Sequence, residues 1–435
     1  MFENIIAQSA VNQLRDDILG ANDAPSMLFF GPPDSGKGSA ALESARVYSC
    51  KGEGAWKCAC SECEMHRFLA HNDLLILGSR NFSSDILACK SSFIKNSRNQ
   101  NAKYLFYRSL RKLQLRFSSV VLENDAKTAK EVSSALLNLD EGLNELLVLD
   151  TQNCGEKDIE KLANLLVKDA LKLEEEGLSD SVPVGHIRSA SYWCRLAPAG
   201  KRKTFIIENA EKMSDDSLNS LLRLLEEPPE TVRIILTAQR REAIMPTILS
   251  RLRSYRFLKR DAAGEKDVIR RVFQDTSESG LSAYLDSFLP QNYEKIYPLA
   301  AWFAVSLARI ALMTPADSAC KSAAFLTMIG ERYAKTAQEA GCERHVKSAL
   351  VIKDILSKSN NFKDVSFSVF FKAVLELINN VMRTANNAEF IPYTDLYKKY
   401  INEAVTSVDV YNISAAAALE ALFYKIKTAL RGRYG

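Results

Sequence analysis

Residues 28–45 read LFFGPPDSGKGSAALESA. Gly31, Gly36 and Lys37 stand at the G-x-x-x-x-G-K spacing of a phosphate-binding loop. The next position ordinarily carries the Ser or Thr hydroxyl that ligates magnesium; here it is Gly38. Such a loop needs a buried strand before it and a helix after it. The apolar run MLFF (27–30) suits a parallel strand covered on both faces, and SAALESARVY suits the helix. The two glycines let the backbone turn its N–H groups toward phosphate oxygens, the helix N-terminus adds its dipole, and Lys37 would reach the terminal phosphates. A plain Gly/Pro turn is the alternative, and the strand–loop–helix context disfavours it. Ser39 does not restore the lost hydroxyl, because one residue along a helix rotates the side chain by about 100°.

The chain has 435 residues, enough for two to four domains, with 47% apolar and 25% charged residues. No run of about 18 uncharged apolar residues occurs, so no transmembrane helix is expected. The first twenty residues carry Glu3, Asp16 and Asp17 and lack the order of a signal peptide, which makes a cytoplasmic protein the expectation. The nine cysteines are then not expected to form a disulfide framework. The net charge of +4 neither demands nor excludes nucleic acid.

Four cysteines crowd into CKGEGAWKCACSEC: Cys50, Cys58, Cys60 and Cys63. Clustered thiolates in a reducing compartment point to a structural zinc ion, which takes four ligands in a tetrahedron. The Cys58-Ala-Cys60 spacing is tighter than a common C-x-x-C knuckle. A loop of reduced thiols is the plainer alternative, and His66 and His71 stand close by as substitute ligands.

A P-loop protein needs a second strand ending in acids, one associated with magnesium and one that activates water. KRKTFII (201–207) supplies the strand. Glu208 takes the first place and Asn209 the second; an amide is no carboxylate base, so hydrolysis should be poor. A helix should follow, with Ser214 as N-cap, Leu218, Leu221, Leu222 and Leu225 on one face, and Pro228 and Pro229 beyond its end. VRIILTA (232–238) reads as another buried strand that ends near Thr237, a polar group placed to sense a terminal phosphate. Ser250 and Arg251 precede a further strand; taken alone, Arg251 reads as a solvated arginine.

Together these segments resemble the clamp-loader branch of the AAA+ ATPases. NSLLRLLEEPPE followed by ILSR, and the P-loop followed by a four-cysteine module, are similar to the bacterial DNA polymerase III gamma/tau and delta-prime subunits. ENIIAQSAVNQL resembles the family's adenine-contacting opening segment, with Ala7 where glycine is usual; YNISAAAALEALFYKI resembles its last collar helix. The resemblance is strong over residues 1–77 and 184–258. It implies roles position by position. Lys37 matches the P-loop lysine, Glu208 the magnesium-associated acid, Thr237 the first sensor and Arg251 the trans-acting arginine. Asn209 departs from the catalytic glutamate, and Leu252 from the cysteine of the Ser-Arg-Cys motif.

The fold implied is α/β. A parallel-sheet AAA+ domain (1–258) carries a zinc module (50–63) and a helical insertion (about 80–183). A small helical lid (259–295) and an all-helical collar (296–435) follow. The function implied is that of a delta-prime-like subunit. It would sit in a hetero-pentameric ring with other clamp-loader subunits, donate Arg251 to a neighbour's ATP, hydrolyse little or none itself, and help load the sliding clamp on primed DNA. ATP is a possible ligand at Gly31, Gly36, Lys37, Gly38, Ser39, Glu208, Asn209 and Thr237; magnesium is disfavoured by Gly38 and Asn209. The chain as given carries no long segment after the collar, which disfavours a tau-like subunit. The alternatives are an active gamma/tau-like ATPase, a nucleotide-free scaffold, and a DNA-binding regulator. The last would use NAKYLFYRSLRKLQLRF (101–117), whose arginines and aromatics otherwise read as an amphipathic packing helix. Loops are expected at 357–364 and 383–395.

Overall fold

The computed structural model describes the chain apart from residues 21, 79–80, 180, 278–279, 289–292, 313–320, 346, 360–366, 386–390, 410–412 and 430–435. The chain divides into two compact units, Met1–Leu289 and Pro290–Gly435.

In the first unit α1 (Ala10–Leu19), β1 (Ser26–Phe30), α2 (Lys37–Ser49), α3 (Ser61–Arg67) and β2 (Leu74–Leu77) lead into a helical insertion. The insertion comprises α4 (Ser83–Lys95), α5 (Gln100–Gln114), a 3-10 turn (Leu115–Phe117), α6 (Ser119–Leu122), α7 (Ala126–Val148) and α8 (Glu156–Gly177), and α9 (Val184–Arg195) follows it. The chain then returns to the sheet with β3 (Lys203–Ile207), α10 (Asp215–Glu226), β4 (Val232–Ala238), α11 (Pro246–Leu249) and β5 (Arg253–Arg256). The five strands run parallel in the order β2-β3-β4-β1-β5. Every residue of β2, β3 and β4 is buried, as a sheet covered on both faces requires. Apolar side chains fill both sides: Leu28, Phe205 and Leu236 on one, Phe29, Ile206 and Ile235 on the other.

The expected helix after Ser214 forms. Ser214 Oγ accepts from Ser217 N–H at 3.4 Å, and Asp215 and Asp216 lie in the first turn. Its buried face is Leu218, Leu221, Leu224 and Leu225; Leu222 is only partly buried, so the apolar stripe sits slightly around the helix from the expected one.

The insertion has a core of its own. Phe93 and Phe106 stack at 5.6 Å between α4 and α5, and Leu139, Leu143, Leu162 and Leu166 join the long α7/α8 hairpin. The core extends to α12 (Ala262–Val268), the π turn Ile269–Phe273 and α13 (Leu281–Asp286), through Ile269, Phe273 and Tyr284.

The second unit contains α14 (Tyr293–Leu312), α15 (Lys321–Glu339), α16 (Ser348–Lys358), α17 (Phe367–Ala385), α18 (Ile391–Asp409) and α19 (Ala415–Ala429). They enclose one apolar cluster in which Phe303 meets the rings of Phe370, Phe371 and Phe423 edge-on. The loop expected at 383–395 is shorter than its sequence suggests: helix occupies 383–385 and 391–395, and 386–390 lie outside the described residues. Of the loop expected at 357–364, residues 357–358 still belong to α16 and 360–364 lie outside the described residues.

Candidate functional site

The parallel sheet brings the ends of β1, β3 and β4 together. β1 pairs with β4 so that Phe29 lies opposite Thr237, and β3 pairs with β4 so that Ile207 lies opposite Leu236. The P-loop after β1, Glu208 and Asn209 after β3, and Thr237 near the end of β4 therefore share one edge, the usual place for ligands in an open parallel sheet.

Gly31 adopts φ +154 against the backbone of Phe257, where a Cβ would stand 2.1 Å from the carbonyl oxygen, so no other residue fits there. Gly36 caps α2 at φ +93. Lys37 is buried and folds back onto the loop, donating to the Gly31 and Pro32 carbonyls at 2.6 Å each. Burial lowers its pKa to about 8, against the attraction of Glu211, Asp34 and Glu208. A second cation stands on the loop. Arg260 donates to the Ile6 carbonyl at 2.9 Å and to the Asp34 carbonyl, and its guanidinium lies over Gly36.

At Gly38 a Cβ would come within 2.7 Å of Glu208 Oε1, so the acid's side chain lies directly against the residue that replaces the magnesium hydroxyl. Glu208 Oε2 accepts from Arg116 Nη2 at 2.5 Å, and both side chains are buried. Arg116 also sits 5.3 Å from the Phe82 ring. Magnesium takes near-octahedral oxygen ligands and in this class uses the loop hydroxyl and the strand acid. With Gly38 in the first place and Glu208 bonded to a guanidinium, the residues present do not fit that ion. Asn209 occupies the left-handed region at φ 53, which asparagine tolerates better than most residues, and its N–H donates to Thr237 Oγ1 at 3.2 Å. Ser39 is exposed, one step along α2.

Ala7 also adopts a left-handed backbone, φ 52, and Gln8 beside it exchanges two bonds with Leu258: Nε2 to the carbonyl at 2.7 Å and Oε1 from the N–H at 3.0 Å.

Arg251 follows α11 at the surface. Its Nη1 donates to the Thr247 carbonyl at 2.6 Å and its Nη2 to Glu226 Oε1 at 2.7 Å, so the turn after α11 is tied to the last residue of α10.

The four cysteines converge. All four Sγ atoms lie within 4.8 Å of one another; Cys50 is 3.6 Å from Cys58 and 4.0 Å from Cys60. Tetrahedral zinc thiolates at about 2.3 Å would set sulfurs about 3.8 Å apart, so the cluster fits one such ion. Arg46 Nη1 donates to Cys63 Sγ at 2.9 Å, and its Nη2 meets Glu43 at 2.7 Å in a buried pair. Although burial opposes it, backbone N–H groups of Cys63 and Lys51 bring the Cys60 thiol down to about 6, while burial pushes Cys63 up to about 12. His66 and His71 are not gathered with these sulfurs: His66 meets Ser49 at 2.8 Å and His71 meets Glu62 at 2.7 Å, the two rings stacked at 4.1 Å.

Residues 98–261, from the start of α5 past β5, match the family model described as DNA polymerase III, delta subunit. Over this stretch the chain is similar to that family. The DNA polymerase III subunit delta' of Pseudomonas aeruginosa is 29% identical over 134 residues, 30% of this chain and 41% of that protein. An uncharacterised Mycoplasma pneumoniae protein, an MG007 homologue, is 36% identical over 58 residues, 13% of this chain and 23% of its own length. The chain thus matches less than half the length of either relative. The crystal structure of a DNA polymerase III gamma subunit-related protein from Thermotoga maritima overlaps 57% of this chain and 80% of its own, at 16% identity and a TM-score of 0.27.

Two residues of this corner escape motif reading. Arg116 lies 92 positions before its partner Glu208, on an inserted segment whose spacing gives no hint of that pairing. Arg260 follows the last strand in a stretch that reads only as the start of a helix. The basic aromatic stretch of α5 packs inward. Arg108 donates to the Arg67 carbonyl, Arg111 to the Leu69 carbonyl at 2.8 Å, and Lys103 to the carbonyls of Leu147 and Leu149 at 2.9 and 2.8 Å. The aromatics are packed as the amphipathic reading expects, and these three charges bond backbone carbonyls.

Proposed function

We propose that the chain is a clamp-loader subunit of delta-prime type. It donates Arg251 to a neighbouring subunit's ATP and itself hydrolyses ATP poorly or not at all. The observation that carries this reading is the Arg116–Glu208 pair beside Gly38, which ties up the acid that a P-loop ATPase turns toward magnesium. Asn209 adds a second deficiency, because its amide does not take a proton from water. Arg251 lies at the surface, where its guanidinium pairs with Glu226 at 2.7 Å. An arginine supplied across an interface stabilises the charge of a transferring phosphoryl group and is worth about 10³–10⁵ in rate where it has been removed.

In this reading the chain works in the cytoplasm, within a ring of other clamp-loader subunits that places the sliding clamp on primed DNA. The four cysteines hold structural zinc. Lys37, Thr237 and the loop glycines contact a nucleotide that is retained rather than turned over.

The rival is an active gamma/tau-like ATPase, supported by the intact Gly31, Gly36 and Lys37. Turnover of ATP by the purified chain separates the two. The donor reading expects no magnesium-dependent hydrolysis above that of the Lys37→Ala variant. Hydrolysis that Lys37→Ala abolishes would establish the rival.

A further inference from the structure

The insertion delivers one group to the nucleotide corner. Arg116 projects from the turn that closes α5, and that turn is fixed from the far side: a Cβ at Gly177, the last residue of α8, would stand 2.5 Å from the Phe117 ring. The α8 end and the turn are therefore in close contact, and the guanidinium has a defined position. It meets one oxygen of Glu208 at 2.5 Å, while the other oxygen faces Gly38. In a metal-dependent P-loop the acid and the hydroxyl at that position converge on a divalent cation. Here the hydroxyl is missing and the acid already faces a cation. A guanidinium carries its charge at every physiological pH, has no lone pair to offer a metal, and matches carboxylate and phosphate oxygens alike.

The loop itself remains charged for an anion. Lys37 is desolvated and bonded to neutral carbonyls, a setting in which a phosphate oxygen would stabilise its ammonium, and Arg260 lies over Gly36.

We propose that Arg116 is a built-in counter-cation that replaces the divalent metal at Glu208, so that this P-loop holds a nucleoside polyphosphate without magnesium. The inserted helices then have a role at the site, because they carry the charge that the metal would otherwise bring. The inference rests on reading the P-loop as a nucleotide site and is independent of whether Arg251 acts on a neighbour.

The test is the affinity of the full chain for fluorescent ADP and ATP analogues, in excess magnesium and in excess EDTA. It compares the wild type, Arg116→Met, and the double variant Arg116→Met/Glu208→Gln, which removes both charges and keeps the fold if the lone carboxylate does not. The wild type should bind equally in the two buffers, within about twofold, and the double variant should bind about tenfold or more weakly in both. Arg116→Met, with Glu208 released, should bind more tightly when magnesium is added. A wild-type affinity that rises about tenfold or more with magnesium overturns the proposal. So does a wild-type chain that binds neither analogue in either buffer. Neither result touches the Arg251 reading, which is measured by a neighbour's turnover.

Discussion

At the scale of the residue, the corner at the ends of β1 and β3 holds a buried ion pair where a magnesium-dependent P-loop turns an acid toward the metal. Arg116 and Glu208 are buried together, and such a pair is costly to break from one side. Arg116→Met should therefore lower the stability of the chain by about 3–5 kcal/mol, and adding Glu208→Gln should recover a large part of that loss. Chemical denaturation of the two variants measures both. Lys37 shows the opposite tendency. Its folded pKa of about 8 lies below its ordinary 10.5, so below about pH 8 the buried ammonium strains the fold. Stability from this group is regained as the pH rises from about 8 toward 10.5. The shift amounts to about 3 kcal/mol at about 1.4 kcal/mol per unit. Lys37→Met should accordingly stabilise the chain at pH 7, and the difference from the wild type should shrink between pH 8 and 10.5; a difference independent of pH would count against the depressed pKa. Ala7 carries backbone strain at φ 52. Ala7→Gly should raise stability by about 1 kcal/mol, since the left-handed region costs a residue with a Cβ about 1–2 kcal/mol.

At the scale of the element, the strands were legible because a sheet covered on both faces demands short uninterrupted apolar runs, and MLFF, LLIL, TFII and VRIILTA are such runs bounded by turns. Helix α10 was legible from Ser214 and its leucines. The cysteine cluster was legible because four cysteines fall within fourteen consecutive residues, 50–63. The partners of α5 were not legible. Arg108 and Arg111 reach the carbonyls of Arg67 and Leu69 at the end of α3, forty-odd residues back, and periodicity says only which face is apolar, not what the polar face meets. Those contacts join the cysteine module to the insertion. Removal of a bound metal should loosen both: chelation, or Cys63→Ser, should lower the melting midpoint of the first unit by roughly 5–10 °C, and restoring zinc after chelation should reverse it. An unchanged midpoint, with no metal by elemental analysis, would return the cluster to a loop of reduced thiols.

At the scale of the whole molecule, a unit built on a P-loop sheet and a unit built wholly of helices share one chain, and each has its own core. The first keeps the G-x-x-x-x-G-K loop and pairs Glu208 with Arg116 beside it. It also holds Arg251 at the surface. The proposal that Arg251 acts on a neighbouring subunit is tested in an assembly rather than in the isolated chain.

The most direct measurement is ATP turnover by an assembly of this chain with an ATP-hydrolysing clamp-loader subunit, a clamp and primed DNA, with Arg251→Ala and Lys37→Ala compared separately against the wild type. The arginine-donor reading expects Arg251→Ala to lower turnover by about a hundredfold or more and Lys37→Ala to leave it within about twofold. Collapse with Lys37→Ala and full turnover with Arg251→Ala would contradict it and make this chain the motor.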